Sequence, residues 1–199
     1  DDEETRCALY LMSSMLRRKL CGVCSVYSLD DSSTSSSSNS KDMKEFCIFG
    51  SPVEKSPSPS MHNCAFELFG LANTHRYGRV DTKDVNDVES VLKRSNFAGA
   101  SVTIPFKESV RPLLDKISPV ANLVGAVNTV IVQDNGKLYG DNSDWIGIVK
   151  CIQSTSGLLS QSVLTSPHDR SNPRAVVLGA GGTARAALFA LSYLGFEAA

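Results

Sequence analysis

Short apolar runs, each separated from the next by one amphipathic stretch, set the tightest limit on what this chain can fold into. Phe46-Cys47-Ile48-Phe49, closed by Gly50, predicts a buried strand. A helix is predicted from Pro59, with Ser58 at its N-cap, Met61, Ala65, Leu68 and Phe69 on its apolar face and Gly70 at its end. His75 to Val80 reads as a second strand. Asp84 to Ser95 reads as a second helix with Val85, Val88, Val91 and Leu92 inward, and Ala100 to Ile104 as a third strand ended by Pro105. Strands joined through single helices need crossover connections, which predicts an α/β fold with a parallel sheet covered on both faces.

Two further patterns bear on chemistry. Asn135-Gly136 lies between the strand-like runs Val127–Val132 and Lys137–Gly140, a strong hairpin signal because both turn positions need positive φ. A two-residue loop there sets Asp134 against Lys137 and Asn128 against Ser143, beside Asp144. The polar residues Asn128, Asn142, Ser143 and Asp144 then gather at one end, as a site or as a solvated strand end. Further on, Ala175-Val176-Val177-Leu178 predicts a buried strand. It leads into Gly179-Ala180-Gly181-Gly182-Thr183-Ala184 and an apolar helix through Leu188, Leu191 and Leu194. This is the form G-x-G-x-x-A. Gly179 permits the tight turn, Gly181 lets backbone approach a pyrophosphate, and Ala184 allows close packing. The helix N-terminus offers unpaired N–H groups to phosphates. A tight βα turn without a ligand is the plainer alternative. The residue that selects the cofactor normally follows about 20 positions later, where this sequence stops, so the nucleotide unit is expected to be incomplete, an unfinished Rossmann-type domain.

Composition narrows the partners. Twenty Lys+Arg against 21 Asp+Glu give a net charge of −1, without the basic excess of a nucleic-acid binder. No run approaches the roughly 20 apolar residues of a membrane span. Among six cysteines, Cys21 and Cys24 form a lone CxxC, and the three histidines do not complete a zinc spacing, so no metal site is expected. The acidic start Asp1-Asp2-Glu3-Glu4 is unlike a signal peptide, and a reducing cytoplasm is the expected location. Residues 4–20 carry a helical apolar stripe and residues 32–40 are almost all serine, a tract that reads as a linker. The expected organisation is an N-terminal extension over 1–43, a substrate-binding catalytic domain over 44–150, a polar connector over 151–173 and the start of a dinucleotide-binding domain over 174–199.

Taken in order, five motifs resemble the shikimate/quinate dehydrogenase family. They are Gly50-Ser51-Pro52 with Ser56-Pro57-Ser58-Pro59 and His62-Asn63; Ser101-Val102-Thr103-Ile104-Pro105-Phe106-Lys107; Gly125-Ala126-Val127-Asn128-Thr129; Gly140-Asp141-Asn142-Ser143-Asp144 with Gly147; and the Gly179 loop. The variant Ala100-Ser101-Val102-Thr103 looks most like the dehydrogenase domains of multidomain, arom-type shikimate-pathway polypeptides, so this chain is expected to be part of a larger one. The resemblance implies NADP-linked reduction of 3-dehydroshikimate to shikimate in aromatic amino-acid (chorismate) biosynthesis. NAD is the alternative cofactor, and quinate the alternative substrate. It implies that Ser56 and Ser58 hold the substrate carboxylate and that Thr103, Asn128 and Asp144 meet the ring hydroxyls. Lys107 and Asp144 would flank the reacting carbon, with Lys107 as general acid and base. Gly179, Ala180, Gly181, Gly182 and Thr183 would hold the cofactor.

The sequence also departs from the family pattern. Lys55 stands where histidine is common, Ser101 replaces asparagine and Ser143 replaces threonine; the two serines keep a hydrogen-bonding group, so tuned affinity is expected. The cofactor selector and a later glutamine-bearing segment are absent, so the chain alone is expected to turn over little. A rival reading is a quinate-sensing regulatory homologue without catalysis. Intact Lys107 and Asp144 weigh against it.

Overall fold

The computed structural model describes residues 43–155 and 174–198. The predicted N-terminal helix, the serine tract and residues 156–173 of the predicted connector lie outside the described residues.

The elements alternate as the apolar runs require. Strand β1 (Lys44–Gly50) is followed by α1 (Ser58–Leu68), β2 (His75–Asp81), α2 (Val85–Leu92) and β3 (Phe97–Val102). Short helix α3 (Phe106–Ser109), a 3₁₀ turn, β4 (Lys116–Ile117) and α4 (Pro119–Val124) lead to the hairpin β5 (Thr129–Val132) and β6 (Leu138–Asp141), then α5 (Asp144–Thr155). Six strands form one sheet in the order β2-β1-β3-β5-β6-β4. β1 runs parallel to both β2 and β3, and β4 parallel to β6. Only β5 runs against its neighbours. The sheet is therefore mostly parallel, as the crossovers demand.

β1 shows why helices cover both faces. Its side chains alternate, as a strand's must. Cys47 and Phe49 enter a core with Val88, Val91 and Leu92 of α2, whereas Ile48 and Phe46 pack with Tyr77, Val53 and Phe66 on the opposite face. Asp84 caps α2 by accepting from the Asn86 N–H at 2.9 Å, and Ser118 caps α4 by accepting from Ala121 at 3.0 Å.

The structure revises the sequence reading in four places. Ser58 is the first residue of α1 and does not cap it; the cap position is Pro57, with no side-chain bond. Leu68 and Phe69 are exposed, and Phe66 faces inward instead. The reason is that α1 spends its inward row on polar groups: Asn63 exchanges two hydrogen bonds with the Tyr77 backbone, and His62 stacks on the Tyr77 ring. In the hairpin, Thr129 pairs with Asp141 and Val132 with Leu138, one step from the predicted register. The loop has three residues, with Gly136 at φ +76° and its N–H donating to Gln133, a type I turn closed by a glycine bulge. Last, the strand predicted over 175–178 shrinks to β7 (Arg174–Ala175). It pairs in parallel with β8 (Glu197–Ala198) across helix α6 (Gly182–Tyr193). Val176 and Leu178 are exposed because no described element packs over them.

Burial pushes the Cys47 thiol and the Tyr77 phenol each up to about 12. In an unfolded chain they ionise near about 8.5 and 10. Above about pH 8.5 the unfolded chain thus binds fewer protons than the fold, so the stability these groups confer is complete below that point and lost toward pH 12. We expect the urea midpoint to stay level to about pH 8.5 and then fall; Cys47→Ala delays the fall to about pH 10, where Tyr77 begins to act.

Candidate active site

Parallel strands deliver their loops to one end of a sheet, and open α/β sheets bind ligands beyond the carboxyl ends of the strands. Every predicted substrate and catalytic residue lies at that end. Ser56 and Ser58 follow β1, and Thr103 and Lys107 follow β3. Because β5 is antiparallel, its beginning reaches the same edge, bringing Asn128; β6 then ends there and leads to Asn142, Ser143 and Asp144.

The backbone fixes Lys107 and Asn128 relative to each other. The Val127 N–H donates to the Lys107 carbonyl at 2.7 Å, and the Val102 N–H donates to the Asn128 carbonyl at 2.7 Å. From this frame the Lys107 ammonium reaches Asp144 Oδ2 at 2.6 Å, with the two side chains 15% and 24% exposed. An ion pair so far out of water needs its remaining lone pairs satisfied. Asn128 does this by donating to Asp144 Oδ1 at 2.7 Å and to Ser143 Oγ at 3.1 Å, while its own Oδ1 accepts from the Ser143 N–H at 3.0 Å. Buried Asn142 anchors the start of α5: its amide donates to the Ala126 carbonyl at 3.0 Å and its oxygen accepts from the Asp144 N–H at 3.0 Å. Asp144 also sits in the first turn of α5, where the helix dipole favours negative charge.

The serines lie in a second part of the edge. Ser56 and Thr103 share a cavity of about 470 Å³ with Ile48, Pro52, Val53, Glu54 and Lys55. Ser56 Oγ accepts from the Ser58 N–H at 3.3 Å and donates to Ser58 Oγ at 3.2 Å. The exposed Arg79 guanidinium donates to the Ser56 carbonyl at 2.9 Å, holding the loop and placing a positive charge beside it. Asp81 supports the same loop by accepting from the Val53 N–H at 3.0 Å, and that bond with the Ser51 hydroxyl holds its carboxyl below the usual range. The serines and the lysine network share the carboxyl edge of the sheet. A larger cavity, about 520 Å³, is lined by Met43, Phe46, His75 and Val132 at the opposite ends of the strands and holds none of the site residues.

Tyr77 is the residue that sequence reading passed over. Its hydroxyl donates to Ser101 Oγ at 2.7 Å, occupying the residue that stands in place of the family's asparagine. Read in one dimension, Tyr77 is merely a strand aromatic 24 positions away.

The glycine turn meets this site. Gly179, Ala180 and Gly181 are exposed, and α6 begins at Gly182 with Gly181 as a cap without a side-chain bond. The first N–H groups of α6 are left for an anion, which fits a dinucleotide's pyrophosphate. Gly182 packs on Lys107, and Thr183 Oγ1 lies 3.1 Å from its ammonium. α6 also rests on α5 through Trp145, whose ring meets Phe189 at 5.2 Å and Tyr193 at 5.3 Å.

A lysine–carboxylate pair at the carboxyl edge of a mostly parallel sheet, set against the glycine turn of a βαβ unit, defines the class of α/β protein to which this chain conforms. Residues 48–130, from β1 into β5, match the family model of the shikimate dehydrogenase substrate binding domain. Solved structures agree. Shikimate 5-dehydrogenase from Thermus thermophilus, in complex with NADP(H) and shikimate, is 37% identical at a TM-score of 0.61, covering 78% of this chain and 54% of that one. The dehydroquinate dehydratase and shikimate dehydrogenase of S. pombe is 38% identical at a TM-score of 0.56, covering 78% of this chain and 28% of its own. Quinate dehydrogenase from Corynebacterium glutamicum, in complex with NAD, is 27% identical at 0.60, over 79% and 55%. This chain spans about half the length of most of the solved relatives it matches. Among the described residues, no helix is long and apolar enough to cross a membrane.

Removing the carboxylate would leave the Lys107 ammonium largely out of water with one hydroxyl. We expect Asp144→Asn to cost about 1.5–3 kcal/mol, the range for hydrogen bonds to charged groups, in urea unfolding. Lys107→Met should cost less, because Asp144 keeps Asn128 and the α5 N-terminus.

Proposed function

We propose that this chain provides the substrate site and catalytic pair of an NADP-dependent shikimate dehydrogenase, reducing 3-dehydroshikimate to shikimate. The supporting observation is the Lys107–Asp144–Asn128 cluster beside the Ser56/Thr103 cavity. Residues 44–150 form the substrate-binding part, and residues 174–199 open the dinucleotide-binding part. By likeness to the S. pombe protein, the chain belongs in a larger polypeptide.

In this reading Ser56 and Ser58 bind the ring carboxylate through their hydroxyls, and the Arg79 charge favours the anion. Thr103 and Asn128 orient the ring hydroxyls. Gly179, Ala180, Gly181, Gly182 and Thr183 line the place of the cofactor, whose nicotinamide supplies a hydride when bound. Negative charge growing on the carbonyl oxygen is met by the Lys107 ammonium, which donates a proton to it. Asp144 keeps that ammonium aimed. In the oxidative direction, neutral Lys107 takes the proton back from the hydroxyl.

Amide NMR titration of the chain, first with shikimate and then with quinate, tests the assignment. We expect shikimate to shift the signals of Ser56, Thr103 and Asn128, and Ser56→Ala to weaken it about tenfold, as loss of a charged hydrogen bond implies. Tighter binding of quinate would make the chain a quinate enzyme or sensor. A dispersed spectrum that ignores both acids would overturn the assignment.

A further inference from the structure

The glycine turn carries one glycine more than its fingerprint needs. G-x-G-x-x-A is satisfied by Gly179, Gly181 and Ala184, which leaves Gly182 and Thr183 as open positions. The structure gives both a task on Lys107. A Cβ on Gly182 would lie 2.9 Å from Lys107 Cβ and 3.1 Å from Ala126 Cβ, closer than side chains pack. Thr183 Oγ1 accepts from the Lys107 ammonium at 3.1 Å. One turn along, Arg185 pairs with Glu108 at 3.0 Å, so three residues of α6 seat on the two-residue segment Lys107-Glu108.

We propose that Gly182 and Thr183 are positioning residues for Lys107. Gly182 lets the start of α6 close against the lysine stem, and the Thr183 hydroxyl fixes the ammonium against Asp144 Oδ2. An ammonium has three donors. Asp144 takes one and Thr183 a second, so one N–H remains to face a substrate oxygen. Without Thr183 the head group swings about its bond to Asp144, and the direction of proton delivery is lost. The task of Lys107 in catalysis rests on the proposed function; its seating by α6 does not.

Acylation of the 199-residue chain by a trace of acetic anhydride at pH 8 tests this, with Lys107 read by mass spectrometry against exposed Lys137. We expect Lys107 to react at least tenfold more slowly than Lys137. Thr183→Val, which removes the acceptor at constant shape, should raise the Lys107 rate about fivefold and leave Lys137 unchanged, while Thr183→Ser retains the slow rate. Gly182→Ala should free Lys107 as well and shift the Trp145 emission as α6 moves; if it fails to fold, the Thr183 pair decides alone. A Thr183→Val rate within twofold of wild type overturns the proposal. A shikimate arm separates the two readings: protection of Lys107 by the acid with no effect of Thr183→Val defeats the positioning role alone. Release by Thr183→Val with no protection by shikimate or quinate supports the positioning role and defeats the enzymatic assignment.

Discussion

An ammonium and a carboxylate held 2.6 Å apart, mostly out of water, need rigid backbone on both sides, and much of this architecture serves that requirement. Lys107 hangs from the end of β3 and Asp144 from the end of β6, 37 residues further on. They meet because the β5–β6 hairpin reverses direction and returns to the same sheet edge. The hydrogen bond from Val127 to the Lys107 carbonyl ties the start of that hairpin to the lysine's own turn. Asn128, one residue later, then bonds to the carboxylate. The hairpin is thus the structural link between the two charges.

The main order of elements could be read from the sequence because burial on both faces of a parallel strand leaves a short apolar run, and a capped amphipathic helix leaves a periodic one. β1 and α2 announced themselves in this way, and the hairpin through its Asn-Gly pair. What could not be read was every feature that depends on a distant partner. His62 and Asn63 interrupt the apolar face of α1, and nothing local shows that Tyr77 binds both from another element. The Asn-Gly pair signalled a hairpin but not its register, since Gly136 serves a two-residue turn and a three-residue bulged turn alike. Val176 and Leu178 read as buried because apolar runs usually are, yet coverage comes from other elements.

The same contrast holds at the site. Lys107, Asp144, Asn128 and the serines were singled out through ordered motifs, and the structure gathers the first three into one network while setting Ser56 beside Thr103. Spacing along the chain gave no sign that Thr183, 76 residues from Lys107, lies within reach of its ammonium. Nor did it link Tyr77 to Ser101. Such contacts exist only once three elements have packed, and no one-dimensional period encodes them.

β2 forms one border of the six-stranded sheet, and a border strand ordinarily presents a row of unpaired backbone groups on which another chain's strand can grow. Here Asn63, reaching out from α1, fills the place of that neighbour with its own amide: its nitrogen donates to the Tyr77 carbonyl and its oxygen accepts from the Tyr77 N–H. At the opposite border β4 is only two residues long. An incoming strand would have to displace a side chain at one edge and would find almost no template at the other, so the sheet ends where the fold ends and gives little purchase to fibrous association.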